Sequence, residues 1–297
     1  MNRKEFGRLL ATLRQDLDWT QFQLSEYAGV DNAVVSQIER GVKKFFEPEL
    51  LFRLANALQL TTLERREFFL AASGLENKQL VRQPAIGTMT DTNHPVKIIE
   101  KLLDVLEHIR VPAFLNDVYG DVIAANLSII RFFNIPDAMI ASADQLPGGF
   151  NAMRLTFSSD LVGRSHVLDN WDAYAMISMR SYRDSTLRYR ADPYFRYLMK
   201  NFRDPVKYPL FDRYWKRVSS VEQDKIMNSD TFEYSHKTYG KIKYMTAGIT
   251  TTTAFGELFL TTYLPLDANT TDVFGKLSAD GGDEIIRLAP WPEKKMD

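Results

Sequence analysis

The sequence predicts an all-α domain of five short helices, followed by an α+β domain that holds one antiparallel sheet. Apolar residues recur at helical spacing from residue 3 to residue 73. The spacing changes to the period of two that strands show at residues 111–125, and a segment rich in Thr, Tyr and Phe occupies residues 231–264. Between these regions, residues 75–93 lose periodicity and collect Gln, Pro, Gly, Thr and Asn, which favours a linker.

These patterns also place the domain boundaries. A chain of 297 residues is long enough for two domains. We expect the helical domain at residues 1–74, the linker at 75–93 and the α+β domain at 94–268. Residues 269–297 are expected to form a C-terminal tail that is frayed from Pro290 onward.

The first two helices are delimited by residues that start and stop helices. An apolar stripe at helical spacing runs along the first helix and consists of Phe6, Leu9, Leu10, Leu13 and Leu17. Thr20 is expected to accept a backbone N–H at the start of the second helix, residues 21–28. Gly29 then ends that helix, because glycine adopts the left-handed conformation of a tight turn without steric cost.

Three further helices complete the first domain. The third is expected to begin at Asp31 or Asn32, either of which can cap it, and to run to Arg40. The last two are predicted at residues 47–58 and 62–72.

The α+β domain is expected to open with an amphipathic helix near Pro95. Strands at residues 111–118 and 122–125 flank Tyr119-Gly120-Asp121, which is typical of a β-hairpin. The helices predicted after the hairpin lie at residues 127–133, 170–189, 194–202 and 211–218. Residues 231–264 then predict three antiparallel strands, joined by turns at Tyr239-Gly240 and Phe255-Gly256.

Composition restricts the class of protein. The chain carries 37 Lys and Arg against 38 Asp and Glu, a net charge of −1, so no global charge attracts nucleic acid or membranes. It has no cysteine, which excludes disulfides, thiolate nucleophiles and cysteine-ligated zinc. The charged N-terminus lacks the apolar core of a signal peptide, and no apolar run approaches the ~18 residues that span a bilayer. We therefore expect a cytoplasmic protein without membrane insertion.

The segment Gln21–Gly41 carries the strongest motif. In a helix-turn-helix, two helices cross at ~90–120° through a short turn, which requires a small residue on the first helix and a permissive residue in the turn. Ser25 and Gly29 meet these two requirements. Val35 and Ile38, three residues apart, supply apolar anchors on the inner face of the second helix.

This segment resembles the helix-turn-helix of phage repressors and of the large xenobiotic-response-element family, whose five-helix layout covers residues 3–73. The matching positions are Thr20-Gln21, Leu24, Gly29, Ser36–Gly41 and the pattern L-x-x-L-A-x-A-L at Leu51–Leu58. The resemblance implies a lambda-repressor-like fold that binds double-stranded DNA. It also implies a homodimer, because two half-sites a helical turn apart multiply specificity.

The same resemblance assigns roles to individual residues. Asn and Gln pair bidentately with adenine, and alanine contacts the methyl group of thymine. The residues expected to face base edges are Asn32, Ala33, Ser36 and Gln37. The residues expected to bind phosphates are Gln21, at a helix N-terminus, and the cations Arg40, Lys43 and Lys44.

A small helical bundle with a glycine turn would explain part of this pattern without DNA. Residues 1–80 contain 11 Lys and Arg and 11 Asp and Glu, so the domain as a whole does not attract phosphates strongly. The combination of motif residues favours a DNA-reading domain. The alternative is a non-catalytic protein-interaction or assembly module whose helical bundle does not read DNA.

Four segments of the second domain resemble the ligand-binding domain of MmyB-like regulators. They are Val111–Phe133, Asn151–Asp160, Asp169–Arg183 and Phe211–Glu222. Their spacing is that of the family, and the match covers most of residues 95–265. The resemblance implies a PAS-like fold, in which helices wrap a small sheet, and a small apolar ligand, for which a long-chain fatty acid is one candidate.

The same region is rich in soft apolar side chains. Methionine adapts to flexible chains, and an acyl ligand gains roughly 0.8 kcal/mol per buried methylene. The residues expected to line an apolar cavity are Phe114, Phe132, Phe133, Met153, Phe157, Trp171, Met176, Met179 and Met245. The candidates for holding a ligand carboxylate are Arg154, Arg180 and Tyr182. Any single apolar residue among them is also explained as ordinary core.

A basic, aromatic run in this domain consists of Arg180, Tyr182, Arg183, Arg188, Tyr189 and Arg190. On a helix of this length, we interpret the run as a solvated or interface face rather than as a nucleic-acid site.

Sequence motifs for catalysis are absent. The four histidines lie far apart, without the spacing of metal ligands. The chain contains no GxSxG, Walker or GxGxxG motif. We therefore expect no enzyme, no metal site, no catalytic residue and no cofactor other than a bound ligand such as a fatty acid.

Overall fold

The computed structural model describes residues 1–74, 95–143, 149–159, 171–220, 231–236, 238–253, 255–281, 284–294 and 296. The predicted linker at 75–93 lies outside these residues. The chain divides into two compact units. The first comprises Met1–Thr88, Arg183–Arg196 and Trp215–Gln223, and the second comprises Met89–Tyr182, Tyr197–Tyr214 and Asp224–Asp297. The predicted boundaries gave each domain one stretch of chain, whereas two short segments from the middle of the sequence complete the first unit.

Five helices make up most of the first unit. They are α1 (Arg3–Gln15), α2 (Gln21–Ala28), α3 (Asn32–Glu39), α4 (Pro48–Ala57) and α5 (Thr62–Ser73). The predicted caps are present, because the side chain of Thr20 accepts the N–H of Gln23 and that of Asp31 accepts the N–H of Ala33. The predicted all-α five-helix domain is confirmed.

The core of the first unit is apolar and continuous. Phe6 lies at its centre, with ring centroids 5.1 Å from Phe46 and 5.0 Å from Phe68. Leu187, which belongs to the Arg183–Arg196 segment, is fully buried in the same core. Each large apolar side chain removed from water in this way contributes about 1.5–3 kcal/mol.

One antiparallel sheet forms the centre of the second unit. Its strands are β1 (Ala113–Asp117), β2 (Val122–Asn126), β3 (Thr231–His236), β4 (Gly240–Thr253), β5 (Gly256–Pro265) and β6 (Ile285–Arg287). Their order across the sheet is β3-β4-β5-β1-β2-β6, and the pairings are antiparallel. This confirms the predicted α+β domain with a single antiparallel sheet.

Helices cover both faces of the sheet. The remaining helices are α6 (Pro95–Glu107), α7 (Leu127–Phe132), α8 (Asp137–Ala141), α9 (Ala152–Phe157), α10 (Trp171–Thr186), α11 (Pro193–Phe202), α12 (Phe211–Ser220) and α13 (Ala268–Gly281), with a 3₁₀ turn at Leu187–Tyr189. Leu115 packs towards Leu103 and Leu106 of α6, and the adjacent Phe114 packs in a different core with Phe132 of α7 and Phe274 of α13. Neighbouring residues of a strand point to opposite faces, so α6 lies on one face and α7 and α13 on the other.

The expected C-terminal tail at residues 269–297 is wrong for the residues that the structure describes. α13 packs on the sheet, and β6 pairs with β2. Beyond Pro290, the Lys294 ammonium ion-pairs with Asp117 and lies 2.7 Å from Asp121 Oδ2. Local periodicity could not predict this ion pair, because Lys294 and Asp121 lie 173 residues apart in the sequence.

The basic run was expected to be a solvated or interface face, and the solvated alternative is wrong for two of its members. Arg183 is 3% exposed and Arg190 is 2% exposed, and both pair with the buried carboxylate of Glu64 in α5. A carboxylate more than 100 residues away, brought close by the fold, makes their burial possible.

Candidate nucleic-acid interface and ligand-binding core

The turn between α2 and α3 decides which side of α3 faces solvent. Gly29 ends α2 with φ of +62°, and the Asp31 carboxylate accepts the Ala33 N–H at 2.8 Å to begin α3. Val35 and Ile38 on the inner side of α3 are at most 1% exposed. The opposite side of the helix is therefore available to a partner.

The predicted base-reading residues lie on this outer side. Asn32, Ala33 and Gln37 are exposed, and Ser36 is half-buried. Arg40, which follows α3 directly, is exposed and places its Nε 3.3 Å from the carbonyl oxygen of Ser36. The helix thus presents these side chains together, and their contact with bases stays a prediction.

Gly7 allows α1 to approach the back of α3 closely. A Cβ atom at Gly7 would lie 2.4 Å from the carbonyl oxygen of Ile38 and 2.5 Å from that of Glu39. No side chain fits between two backbones at this distance, so the contact fixes α3 from behind. Sequence reasoning missed Gly7, although a glycine inside an amphipathic helix was a usable signal because it weakens the helix.

Glu39 joins the end of α3 to α1 and α2. Its carboxylate accepts hydrogen bonds from Arg14 Nε at 2.7 Å and Arg14 Nη2 at 3.0 Å, and from Gln21 Nε2 at 2.7 Å. The side-chain amide of Gln21, one of the predicted phosphate ligands, is thus engaged inside the protein. Its position at the first residue of α2 still places its backbone at a helix N-terminus.

A basic segment follows α3. Arg40 and Lys44 are exposed, and Lys43 is half-buried. Phe46 anchors the segment, because its ring packs against Phe6 in the core. The predicted phosphate-binding cations therefore lie on a short stretch of chain that is fixed at both ends.

In the second unit, the aromatic residues predicted to line a cavity fall into two groups. Phe114, Phe132 and Phe133 lie in the core between the sheet and α7. Phe157 and Trp171, with ring centroids 6.0 Å apart, belong to an aromatic cluster that also contains side chains of α12. The described contacts do not bring the two groups together around one cavity.

The other predicted ligand residues are placed as follows. Met153, Met176 and Met179 are buried, and Met245 on β4 is half-buried.

Of the three candidates for holding a carboxylate, Arg154 donates Nη1 to the carbonyl oxygen of Gly149 at 3.0 Å. Arg180 is half-buried, and Tyr182 is 4% exposed. Their role in ligand binding stays a prediction.

Three tyrosines form a polar element in the core that sequence reasoning missed. Tyr244 and Tyr263 stack with ring centroids 4.3 Å apart. Burial raises the pKa of Tyr174, and burial together with Tyr174 raises the pKa of Tyr263 well above its ordinary value. The direction of both shifts reflects the cost of ionising a phenol away from water. The sequence signal for Tyr244 and Tyr263 was the tyrosine content of the predicted strands, whereas Tyr174 lies on helix α10.

A half-open groove of about 420 Å³ lies on the opposite face of the sheet. Ile99 and Leu103 of α6 and Ile123 of β2 form part of its lining, and Arg287 and Trp291 contribute to the other side. None of the predicted ligand residues lines this groove.

The geometry of the first unit defines a DNA-binding protein of the helix-turn-helix class. The second unit is an antiparallel sheet covered by helices, with a buried aromatic core. Comparison with protein families assigns both regions of the chain. A helix-turn-helix domain matches residues 5–68, and the MmyB-like transcription regulator ligand binding domain matches residues 98–277.

The second match covers more than half of the chain, and the protein belongs to the family of MmyB-like transcription regulators. It is a ligand-regulated, DNA-binding transcription regulator. A search among curated proteins found no significant match. Among the described residues, no helix is both long and apolar enough to cross a membrane. The same residues contain no group of three or more His, Cys, Asp or Glu side chains that could hold a metal ion.

Proposed function

We propose that α3 reads base edges in the major groove of duplex DNA, and that a small apolar ligand in the second unit controls this reading. The observation that carries the DNA-reading role is the division of α3 into a fully buried apolar side and an exposed polar side. Val35 and Ile38 hold the helix in the protein, while Asn32, Ala33 and Gln37 face outward. A helix with this division, placed after a tight turn, is the reading element of a helix-turn-helix.

Phosphate contacts would surround this reading face. The backbone at the start of α2, where Gln21 lies, offers N–H groups and the positive end of a helix dipole to a phosphate. Arg40, Lys43 and Lys44 add cations beyond the other end of α3. Two copies of the chain bound to a palindrome would present two such faces, and we propose a homodimer on DNA.

Gln37→Ala is expected to weaken binding to the preferred palindromic duplex by about 1–3 kcal/mol and to relax the preference at one base position. Gln37 is exposed on the reading side of α3 and its amide can pair with adenine. Binding to a set of duplexes with single base changes measures both effects. A variant with an unchanged base preference would remove Gln37 from the reading face.

Lys44→Ala provides the matched control. A phosphate contact does not depend on the base sequence. The change is therefore expected to weaken binding to all duplexes alike and to reduce the slope of log affinity against log salt by about one. A loss restricted to one sequence would contradict the phosphate role. Equal affinity of the native protein for random and selected duplexes would favour the alternative, a helical assembly module that does not read DNA.

The ligand proposed for the second unit is an apolar molecule with one polar end, and a long-chain fatty acid fits best. The methionines at 153, 176 and 179 are buried, and methionine side chains adapt to flexible apolar ligands. Arg154, Arg180 and Tyr182 are the proposed partners of a carboxylate. Neither unit is proposed to catalyse a reaction, and the cytoplasm is the proposed location.

Denaturing mass spectrometry of the protein purified from cells is expected to release a fatty acid in near-stoichiometric amount. A buried acyl chain gains roughly 0.8 kcal/mol per methylene, so a chain of sixteen carbons would survive purification. The variant Met179→Trp, which fills space in the proposed site, is the control and is expected to carry much less lipid. Native protein free of any small apolar molecule would contradict this part of the proposal.

A further inference from the structure

Glu64 of α5 is a fully buried carboxylate held between two arginines from the middle of the chain. Arg183 donates Nε to one carboxylate oxygen at 2.9 Å and Nη2 to the other at 2.8 Å, and Arg190 Nη2 contacts the same carboxylate. The three side chains are at most 4% exposed. We call Glu64, Arg183 and Arg190 the ion triad.

The surroundings leave the ion triad few alternative arrangements. The guanidinium carbons of Arg183 and Arg190 lie 5.2 Å and 4.9 Å from the ring centroid of Trp215, and Arg183 Nη1 donates to the Trp215 carbonyl oxygen at 2.8 Å. Glu64 also accepts the backbone N–H of Thr61 at 2.8 Å, which closes the capping box of α5. A member that left this arrangement would become a buried charge without compensation, which is strongly unfavourable.

The chain segment that carries the two arginines is attached to the first unit at further points. Leu187 is buried in the apolar core of that unit. Arg188 pairs with Glu67, and Arg196 Nη1 lies 2.6 Å from Asp16 Oδ1. The first unit is therefore completed by residues that lie within the sequence matched by the ligand-binding domain.

Helix α10 links the ion triad to the proposed ligand site. Met176 and Met179 precede Arg183 by seven and four residues, so the three side chains lie along one side of the helix. Both methionines are buried. A ligand that displaces or rotates this side of α10 therefore acts on Arg183.

A short series of contacts leads from the ion triad to α3, the helix proposed to read base edges. Phe68 lies one helical turn after Glu64 on α5, and its ring centroid is 5.0 Å from that of Phe6 on α1. The next residue, Gly7, is where the backbone of α1 touches that of α3 at Ile38. These contacts are all inside the first unit and run through close-packed backbone and rings.

We propose that the ion triad couples the ligand site to DNA reading, so that a ligand acting on α10 changes the position of α5 and thereby of α3. This inference rests on the proposed ligand-responsive function. The triad suits such a role because its geometry is fixed by three buried charges, so a shift of Arg183 carries α5 with it or breaks the cluster. The ligand can change DNA affinity only as far as it prefers one of these arrangements.

The test uses the full chain and a variant in which apolar residues of similar volume replace the ion triad, Glu64→Leu with Arg183→Met and Arg190→Met. Replacing a buried ion cluster with apolar residues often preserves or increases stability, so the variant removes the ionic link and keeps the packing. The Kd for the preferred duplex is measured with and without hexadecanoate. We expect hexadecanoate to change the Kd of the native protein by roughly 5- to 150-fold and that of the variant by less than about twofold.

A matched control is Arg203→Met with Asp212→Leu, which removes an ion pair of the second unit and leaves α5 unchanged. This variant is expected to keep the native response to hexadecanoate. If circular dichroism shows that the triple variant does not fold, Arg183→Met, which leaves Glu64 paired with Arg190, replaces it in the same comparison. A folded triad variant with the native response would overturn the proposal.

A second arm needs no ligand. Met179→Ala opens space beside α10, and we expect it to change the Kd for DNA by roughly fivefold or more in the native background. The same substitution in the triad variant is expected to change the Kd by less than about twofold, since the link to α5 is absent. Equal effects in the two backgrounds, or no effect in either, would overturn the proposal.

The two arms separate the failure of the coupling from the failure of the ligand assignment. Suppose that the native protein binds no hexadecanoate in mass spectrometry, but that the effect of Met179→Ala on the Kd for DNA still depends on the triad. This result supports the coupling and rejects the fatty acid. Native protein that binds hexadecanoate and responds to it equally with and without the triad rejects the coupling and leaves the fatty acid in place.

Discussion

Glu64→Ala is expected to lower the free energy of unfolding of the first unit by about 3–5 kcal/mol. The carboxylate is fully buried between the guanidinium groups of Arg183 and Arg190. Its removal leaves two buried cations without an anion, and breaking a buried ion cluster from one side is among the costliest single changes in a protein. The substitution also removes the acceptor of the Thr61 N–H at the start of α5.

Hydrogen exchange of the α5 amides, measured in the full chain, reports this loss for the first unit by itself. Glu49→Ala is the matched control, because it makes the same chemical change at a side chain that is 72% exposed and pairs only with Arg53 in the described contacts. We expect the control to change the free energy by less than about 0.5 kcal/mol. Similar losses in the two variants would show that the burial of Glu64 has no energetic consequence.

The same carboxylate gives the first unit a specific acid dependence. Burial alone would raise the pKa of Glu64, but Arg190 and Arg183 outweigh it and lower the pKa from 4.5 to about 2. Because the folded-state pKa lies below the unfolded value, the stabilisation is present above about pH 4.5 and is lost as the pH falls towards 2. Glu64→Gln is expected to lack this part of the acid transition.

The helix-turn-helix was predictable because its determinants are local. Gly29, the cap at Thr20 and the apolar pair Val35 and Ile38 lie within nineteen residues, and the structure places each of them in the predicted role. Helix periods and caps are short-range signals, so the five helices follow from them directly. Gly7 was missed because the need for glycine there comes from the backbone of α3, which meets α1 only in the folded chain.

The ion triad could not be predicted from local sequence patterns. Arg183 and Arg190 lie in a sequence rich in charge and aromatic residues, which predicted a solvated or interface face of a helix. Their burial depends on Glu64, whose own place in the sequence is explained by the capping box that begins with Thr61. The sequence pattern therefore indicates the capping role of Glu64 but not its second role in the ion triad.

In the second unit, too, the local features were predictable from the sequence and the long-range ones were not. The hairpin of β1 and β2 and the three strands that follow Thr231 were predicted from alternation and turn residues. β6 was not, because three residues are too few to show a period and the pairing with β2 joins segments 160 residues apart. The ligand site was predicted from residue types alone, and aromatic or methionine side chains have the same character in a filled core and in a cavity.

Lys294 is the residue that fixes the end of the chain to the β1–β2 hairpin. Its ammonium pairs with the carboxylates of Asp117 and Asp121, whose side chains are 2% and 3% exposed, and it lies 5.9 Å from the ring centroid of Tyr119. Burial alone would lower the pKa of Lys294, but the two carboxylates outweigh it and raise the pKa. The cation is therefore the charge that allows two aspartates to lie side by side in the protein interior.

Lys294→Met is expected to lower the free energy of unfolding of the second unit by about 3–5 kcal/mol at pH 8, because two buried carboxylates lose their cation. In the native protein, burial raises the pKa of Asp117 to about 6, Lys294 opposes this rise and Asp121 adds to it. Without Lys294, the pKa of Asp117 is expected to lie higher still.

The pH dependence of this loss has a definite sign. A carboxyl group whose folded-state pKa exceeds the unfolded value of 3.8 stabilises the fold when protonated, and that contribution is lost as the pH rises through the folded-state pKa. The variant is thus expected to recover at least about 1 kcal/mol relative to native protein between pH 8 and pH 5. Hydrogen exchange of the β1 and β2 amides at both pH values measures the difference. The control is Lys276→Met, at an exposed lysine of α13. If Lys294→Met lowered the free energy of unfolding no more than the control, or equally at both pH values, the aspartates would not need the cation.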